Sequence, residues 1–250
     1  GMGVDTSNED ETIGTPQAGL AWTGLSREGQ WKVYGEYAKT SQVPGYTVLN
    51  SGTSGLFGGN PDLGRETADT IEIGFQTQLN GLTLQVAAFQ RQDEDLVDWV
   101  YDSETPTARQ ASPVDMDVTG IEGWLRWESE ATAVEFGYAY LDKDAEYLID
   151  AGDASFYALN YASTRLLGSI EHRFFESLDL RLEGEYREHP SNTLRSGGDE
   201  AFFLNFHASW RVPQAEQWRL FLHLTNLTDE DFEPVPGTPG PGTEVVGSLS

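Results

Sequence analysis

Leu178-Asp179-Leu180-Arg181-Leu182-Glu183-Gly184-Glu185-Tyr186-Arg187 is the most regular stretch of the sequence. Apolar or small residues occupy every even position of this stretch, and charged residues occupy every odd position. Only a β-strand converts a repeat of two residues into two chemically distinct faces, because successive side chains of a strand point to opposite sides. The stretch therefore predicts a strand with one apolar face and one charged face.

The same alternation recurs along the chain and predicts about eleven strands. They cover residues 17–25, 30–40, 68–79, 82–101, 114–129, 132–142, 163–175, 178–188, 200–212, 216–227 and 243–250. Several exceed the length of about five or six residues that is common in soluble proteins, and strands of about nine residues or more match a tilted span of a bilayer. The chain is therefore expected to be all-β, with its strands in an antiparallel up-and-down meander.

The connections between the predicted strands alternate between short and long. Asn80-Gly81 is a strong signal for a two-residue hairpin, because both central positions of a type I′ turn need a positive φ. Residues 41–66, 102–113 and 143–162 form long connections. Alternate connections of a meander lie at opposite ends, so short turns gather at one end and long loops at the other. This arrangement predicts part of a transmembrane β-barrel, or a closed one, and a soluble two-sheet sandwich is the alternative.

Composition excludes several classes of function. The chain has 250 residues, with 15 Lys and Arg, 41 Asp and Glu, and a net charge of −26. A nucleic-acid surface needs a basic patch, so nucleic acid is not an expected partner. The absence of cysteine excludes disulfides, thiolate metal sites and a cysteine nucleophile. An apolar run of about 18 residues, which a transmembrane helix requires, does not occur.

The titratable residues do not predict a metal, a cofactor or a catalytic group. His207 and His223 lie on the polar faces of neighbouring predicted strands, so they could approach each other. A metal site needs convergent ligands with an ordered second shell, and we predict polar wall residues here instead. Acidic runs such as Asp93-Glu94-Asp95 lack the spacing of an EF-hand. They are interpreted as solvated loop and rim residues, with weak Ca²⁺ binding as the alternative.

Two segments resemble the TonB-dependent outer-membrane receptors. Residues 60–67, NPDLGRET, followed by IEIG at 71–74, resemble the family's NPDL-x-x-E-x-x-x-x-E-x-G stretch. Residues 225–229, TNLTD, with GPG at 240–242, resemble its NL-(T/F)-D and PGR motifs before the final strand. The order and spacing of the two segments match the C-terminal half of the receptor barrel. Thr243 stands where the family usually has Arg, and Ser250 ends the chain short of the family's terminal aromatic residue.

The resemblance implies a receptor in the outer membrane of a Gram-negative bacterium, and no enzyme. Such receptors take up a scarce, bulky nutrient, for example an iron chelate or a corrinoid. The implied partners are that ligand, membrane lipid or lipopolysaccharide, and the TonB energy-transducing complex, which would act through a plug domain absent from this chain. Family ligands contact loop apices and the upper barrel wall, which here indicates Tyr46, Phe57, Trp99 and Tyr101. A small free-standing porin and an exported β-sandwich binding module are the alternatives.

The domain organisation predicted from the sequence is simple. Gly1-Met2 is interpreted as an expression-tag residue and a start, and residues 3–250 as a single barrel domain. Part of a barrel would have two free edges and one apolar face. In water we expect it to close with Leu180 and Leu182 inward and Arg181 and Glu183 outward, or to pair its edges with a second copy.

Overall fold

The fold is a single β-sheet with very little helix. The computed structural model describes residues 2–6, 12–52, 57–101, 109–147, 154–155, 161–192, 195–213, 215, 217–235 and 237–250. Its strands are β1 (Met2–Thr6), β2 (Thr12–Leu25), β3 (Gly29–Gln42), β4 (Phe57–Gly58), β5 (Glu66–Leu79), β6 (Leu82–Tyr101), β7 (Arg109–Glu128), β8 (Thr132–Tyr147), β9 (Ala154–Ser155), β10 (Thr164–Phe174), β11 (Leu178–Glu188), β12 (Glu200–Arg211), β13 (Arg219–Thr225) and β14 (Glu244–Leu249). The helix α1 spans Tyr46–Asn50. Within these segments no helix is long and apolar enough to cross a bilayer.

The strands follow one another through the sheet in chain order. Each of the twelve long-path strands pairs antiparallel with the next, from β1 to β14, and only the two-residue strands β4 and β9 lie off this path. All fourteen belong to one sheet, so the described part of the chain is not a two-sheet sandwich. The meander predicted from the sequence is confirmed, and it is an open sheet with β1 and β14 at its edges.

The two faces of the sheet differ in chemistry along the whole path. In register, Leu182 of β11 lies opposite Ile170 of β10 and Phe206 of β12, whereas Glu183 lies opposite Ser169 and Asn205. We call these the apolar face and the polar face. The apolar face leaves large side chains in the open, with Leu20 82% exposed and Ile73 64% exposed. A single layer offers no second layer to cover them, and each such side chain left in water forgoes about 1.5–3 kcal/mol of burial.

The turn geometry agrees with the alternation of short and long connections. Asn80 and Gly81 have φ values of 31° and 84°, as the type I′ prediction requires. The β10–β11 turn has positive φ at Phe175 and Glu176, 54° and 57°, although neither is a glycine. The tight turn between β10 and β11 is therefore centred on Phe175-Glu176. These turns share one end of the sheet with tryptophans near the same strand ends, Trp31, Trp127, Trp210 and Trp218.

A small buried cluster forms where β6 and β7 extend toward the long-loop end. Val114, Met116 and Val118 are buried on the polar-face side of β7, with Phe89, Leu96, Leu141 and Ala145 packed against them. A β-bulge between Asp93 and Leu96 shifts the register of β6 there. Asp95, in the bulge, has a φ of 55°, and its N–H donates to Asp115 Oδ1 at 2.9 Å. The bulge thus changes the direction of the β6 side chains at the point where an apolar cluster replaces the polar wall.

Strand positions predicted from the alternation are largely confirmed. β6 and β11 have the bounds that the sequence indicates. β7 begins at Arg109 rather than residue 114, and β8 ends at Tyr147 rather than residue 142, because the hairpin arms continue to pair above the alternating region. β1 was not predicted, since its sequence lacks alternation and its place is set by pairing with β2.

Closure with the apolar residues inward is contradicted by the structure. β1 and β14 lie at opposite edges of the sheet, and Leu182 is 41% exposed. The side chains of Arg181 and Glu183 are 34% and 32% exposed and bond to each other at 2.6 Å. Because the sheet is open, it encloses neither face, and the alternation places the leucines together on the face opposite the charged side chains.

A matched pair of substitutions on β6 tests which face meets lipid. Val86 lies on the apolar face and its neighbour Gln85 on the polar face. In lipid vesicles, Val86→Arg is expected to lower the free energy of unfolding by about 2–4 kcal/mol, and Gln85→Arg by less than about 1 kcal/mol. Denaturant titration in vesicles measures both. Equal effects would show that the two faces do not meet different surroundings.

Candidate functional site

The polar face carries a chain of ion pairs through the middle of the sheet. Glu135 of β8 accepts a hydrogen bond from Arg126 of β7, and Arg181 of β11 approaches its other oxygen at 3.4 Å. Ser169 of β10 donates to the same carboxylate at 3.3 Å. Arg181 also lies 3.5 Å from Glu171. These partners come from four strands, so the network fixes side chains over a width that no single hairpin could control.

The network continues to a pair of histidines on β12 and β13. His207 and His223 are direct partners in the strand register, and their Nδ1 atoms are 3.0 Å apart. Nε2 of His207 lies 3.0 Å from Glu183, which bonds to Arg181. The sequence prediction that the two histidines could approach is confirmed. In the described part of the chain, no group of three or more His, Cys, Asp or Glu residues is arranged to hold a metal ion.

Short strands from two long connections pair with the β6–β7 hairpin near its long-loop end. The β3–β5 connection starts on the β6 side but supplies β4, which pairs with Arg109-Gln110 of β7. The β8–β10 connection starts on the β7 side but supplies β9, which pairs with Val100-Tyr101 of β6. Each of the two connections thus pairs with the strand of the hairpin that lies farther from its own start. Asp98, Ser112 and Val114 of β6 and β7 are fully buried.

The aromatic residues predicted to contact ligand have different positions at this tip. Phe57 and Trp99 form an edge-to-face pair with ring centroids 5.2 Å apart. Tyr46 begins α1 and is 81% exposed. Tyr101 ends β6, and its side chain lies outside the described atoms. The fold thus unites Phe57 with Trp99, whose separation of 42 positions gave no sign of contact.

Arg109 joins this aromatic pair and was not singled out by the sequence. Its guanidinium lies 5.4 Å from the centre of the Phe57 ring. Such an arrangement is a cation–π contact. Phe57, Trp99 and Arg109 together present an aromatic surface and a positive charge in a strongly acidic protein. Phe57 is 39% exposed. The β4–β7 pairing brings the two together, and no local pattern could have indicated it.

The motif residues 225–229 and 240–242 lie at the end of β13 and in the connection before β14, and they are joined by hydrogen bonds. Asn226 is buried, and its side chain donates to the carbonyls of Glu230 and Pro241 at 3.0 and 3.2 Å. The hydroxyl of Thr243 donates to the Asn226 carbonyl at 2.7 Å and lies 3.1 Å from Asp229. Thr243, which departs from the family pattern, therefore still closes the loop before the last strand.

A buried arginine fastens this loop to the β11–β12 connection. Arg195 donates from Nε to the carbonyl of Glu233 at 3.1 Å and from Nη1 to Asp199 at 2.5 Å. Its guanidinium also lies 5.5 Å from the Phe232 ring centre. Phe232 packs on His189, with centroids 5.1 Å apart. Sequence reasoning missed this clamp, because its members come from two loops without a repeat.

Comparison with known proteins gives the family. The family model described as TonB dependent receptor-like, beta-barrel, matches residues 2–227. The chain belongs to this family. Solved TonB-receptor relatives superpose well at low identity, so their likeness shows the fold alone. No curated protein sequence matches the chain.

Three of these solved structures illustrate the match. The FrpB iron transporter of Neisseria meningitidis is 16% identical, with a TM-score of 0.71, covering 96% of this chain and 39% of that one. The siderophore receptor PirA of Pseudomonas aeruginosa is 17% identical, with a TM-score of 0.69, covering 99% and 41%. The copper transporter OprC is 13% identical, with a TM-score of 0.69, covering 96% and 39%. The chain therefore spans about two fifths of the length of the structures it matches.

Substitution of Arg195 tests the loop clamp. Lysine keeps the charge but cannot reproduce the forked contacts, so Arg195→Lys should lower local stability by about 2 kcal/mol. That corresponds to roughly 30-fold faster amide exchange. Hydrogen-exchange mass spectrometry should place the change in residues 189–192 and 226–235. The control is Arg165→Lys. Arg165 is exposed and paired with Glu185 at 2.8 Å, so this variant should change amide exchange in residues 189–192 and 226–235 very little.

The clamp should also weaken in acid because of His189. Burial, and then the neighbouring Arg195 and Arg187 cations, lower the pKa of His189 from 6.5 to about 4, while Asp199 acts in the opposite direction. Nδ1 of this ring is buried and has no hydrogen-bond partner within the described residues. Protonation therefore favours the opened loop, whose histidine has the ordinary pKa.

The pH dependence follows from that sign. Loop protection is complete above pH 6.5 and decreases as the pH falls toward 4, by at most roughly 3 kcal/mol. His189→Gln should flatten this part of the exchange profile, whereas His172→Gln, near the short-turn end, should not. A profile that stays flat in the unmodified protein would contradict the assignment.

Proposed function

We propose that this chain forms part of the barrel wall of an outer-membrane receptor of a Gram-negative bacterium. The receptor would bind a scarce, bulky nutrient such as an iron chelate or a corrinoid, and import it with energy from the TonB complex. The observation that carries the proposal is the two-faced sheet: an exposed apolar face for lipid and lipopolysaccharide, and a polar face with cross-strand ion pairs for an aqueous interior. A membrane barrel uses such a sheet as a single layer, with lipid on the apolar face and water on the polar face.

The chain covers about two fifths of each of the similar structures. This coverage supports a role as one part of a larger barrel wall. The sheet is open, with unpaired outer sides at β1 and β14 among the described residues. Unpaired edges in a bilayer are costly, because lipid cannot hydrogen-bond to them. Further strands of the same receptor would satisfy both edges, and a plug domain outside this chain would fill the pore and contact TonB.

Ligand contact is proposed at the long-loop end, through Tyr46, Phe57, Trp99 and Tyr101. Support comes from the Phe57–Trp99 pair, which offers a fixed aromatic surface, and from the exposed ring of Tyr46. Arg109 beside Phe57 adds a cation that suits an anionic chelate. Transport changes no covalent bond, so no enzymatic activity is proposed.

The cargo itself is left at the level of a class. The names of the similar structures refer to iron, a siderophore and copper respectively. Those proteins are less than 20% identical to this chain, so their cargo does not identify the cargo of this chain. The aromatic and cationic surface favours a chelate with an apolar or aromatic framework over a bare ion.

Growth and uptake in the source bacterium test the proposal. Deletion of the gene should impair growth on limiting ferric chelate or limiting cobalamin, and uptake of the labelled nutrient should also require TonB. Trp99→Ala should raise the ligand Kd about tenfold, since a well-packed aromatic contact contributes about 1–1.5 kcal/mol. The matched control is Trp210→Ala, at the opposite end of the sheet.

Three outcomes would count against the proposal. Uptake that persists without TonB would favour a free-standing diffusion porin. Equal ligand affinity in Trp99→Ala and Trp210→Ala would remove the long-loop end as the binding surface. Normal growth of the deletion strain on both nutrients would overturn the nutrient class.

A further inference from the structure

The histidine pair on the polar face has the geometry of two cis ligands to one metal ion. His207 and His223 lie directly opposite each other on antiparallel strands, and their Nδ1 atoms are 3.0 Å apart. Metal–imidazole bonds are about 2.0–2.1 Å long. Two such bonds at a right angle place the nitrogens about 2.9 Å apart, whereas a tetrahedral angle places them about 3.3 Å apart. The observed separation is that of an N–H···N hydrogen bond between the rings, and it also equals the nitrogen spacing of square-planar or octahedral coordination.

The second nitrogen of His207 settles which ring nitrogen is available. Nε2 lies 3.0 Å from Oε2 of Glu183, so it is assigned as the donor to that carboxylate. Nδ1 of the neutral ring then carries the lone pair, directed at His223. A carboxylate that holds the far N–H of a ligating histidine is the usual support of metal sites, where it fixes the tautomer and the ring orientation.

The support of this carboxylate is itself rigid. Glu183 accepts a hydrogen bond from Arg181 at 2.7 Å, and Arg181 bonds onward to the Glu135 network. Glu183, His207 and His223 lie on the paired strands β11, β12 and β13, not on loops. Strand placement keeps the two histidines in register, which lowers the cost of ordering them on binding.

The charged groups next to the pair are Glu183, 3.0 Å from Nε2 of His207, and Arg181, which faces His207 across the β11–β12 register and pairs with Glu183. These two charges balance, so the two imidazoles themselves define the site.

We propose that His207 and His223 form a bidentate site for a divalent first-row transition-metal ion, with Nδ1 of each ring as ligand. Water fills the remaining positions, and Glu183 acts as a positioning residue rather than a ligand. Two protein ligands hold such an ion weakly enough to exchange. The site therefore suits temporary binding at the polar wall rather than a permanent structural metal. Affinity is expected to increase from Mn²⁺ to Cu²⁺ in the usual order.

The test uses the complete receptor in detergent, without a histidine tag, with Ni²⁺ and Cu²⁺ as probes. Calorimetric titration with Ni²⁺ should show one site. His223→Gln and His207→Gln should each weaken binding at least about tenfold, because one imidazole alone is a poor ligand. Glu183→Gln should also weaken it about tenfold through loss of orientation. The matched control, His172→Gln, should bind Ni²⁺ as the unmodified receptor does.

A spectroscopic signature separates a metal site from a merely structural histidine contact. The Cu²⁺ spectrum of the unmodified receptor should show hyperfine coupling to two imidazole nitrogens, reduced to one in His223→Gln. His223 is exposed, so this variant disturbs the fold least, and the spectrum of the unmodified receptor needs no variant at all. A spectrum without two-nitrogen coupling, or equal Ni²⁺ affinity in His223→Gln and His172→Gln, would overturn the proposal. Nutrient uptake does not enter either measurement, so failure here leaves the receptor proposal standing.

Discussion

The alternation of polar and apolar side chains is the constraint on which the rest of the structure depends, because the sheet is only one layer thick. A layered protein can hide a misplaced residue against a second sheet or a helix. Here each side chain has only two possible surroundings, and a shift of one residue in any strand would exchange them. The register that places Leu182 beside Ile170 and Phe206 therefore fixes the register of the strands beyond them.

The polar face shows how a chain with a net charge of −26 keeps a stable wall. Its arginines are few, and they are placed where carboxylates from neighbouring strands converge, as Arg181 is with Glu135, Glu171 and Glu183. Cross-strand pairs of opposite charge stabilise a sheet, and like charges opposite each other destabilise it. Other acidic side chains stay within the wall, as Glu36 and Glu72 do opposite each other on β3 and β5, where Glu72 accepts a hydrogen bond from Tyr34 at 2.6 Å. Charge thus contributes to register as well as to the chemistry of the interior.

The long-loop end follows a different principle from the wall. Near the bulge in β6, the apolar cluster of Val114, Met116 and Val118 replaces the ion pairs, and β4 and β9, from two long connections, pair with β7 and β6. On the other side, Arg195 fastens the β11–β12 and β13–β14 connections together. Side-chain contacts between loops hold the loop conformation, and the strands provide only the attachment points. A fixed shape lowers the entropy lost when a ligand binds at that end.

The sequence by itself determined the strands, their order and the two faces. A period of two residues is local information, and turns such as Asn80-Gly81 carry their own φ requirement. The direct opposition of His207 and His223 also follows from short turns and a fixed register. By contrast, tertiary structure decided the contact of Phe57 with Trp99 and Arg109, the burial of Arg195, and the pairing of β4 with β7 and of β9 with β6. Each depends on where an irregular loop folds back, which no repeat records. The physical reason is that alternation sets only which face a strand residue meets, whereas a loop residue takes its partners from whatever surface its chain can reach.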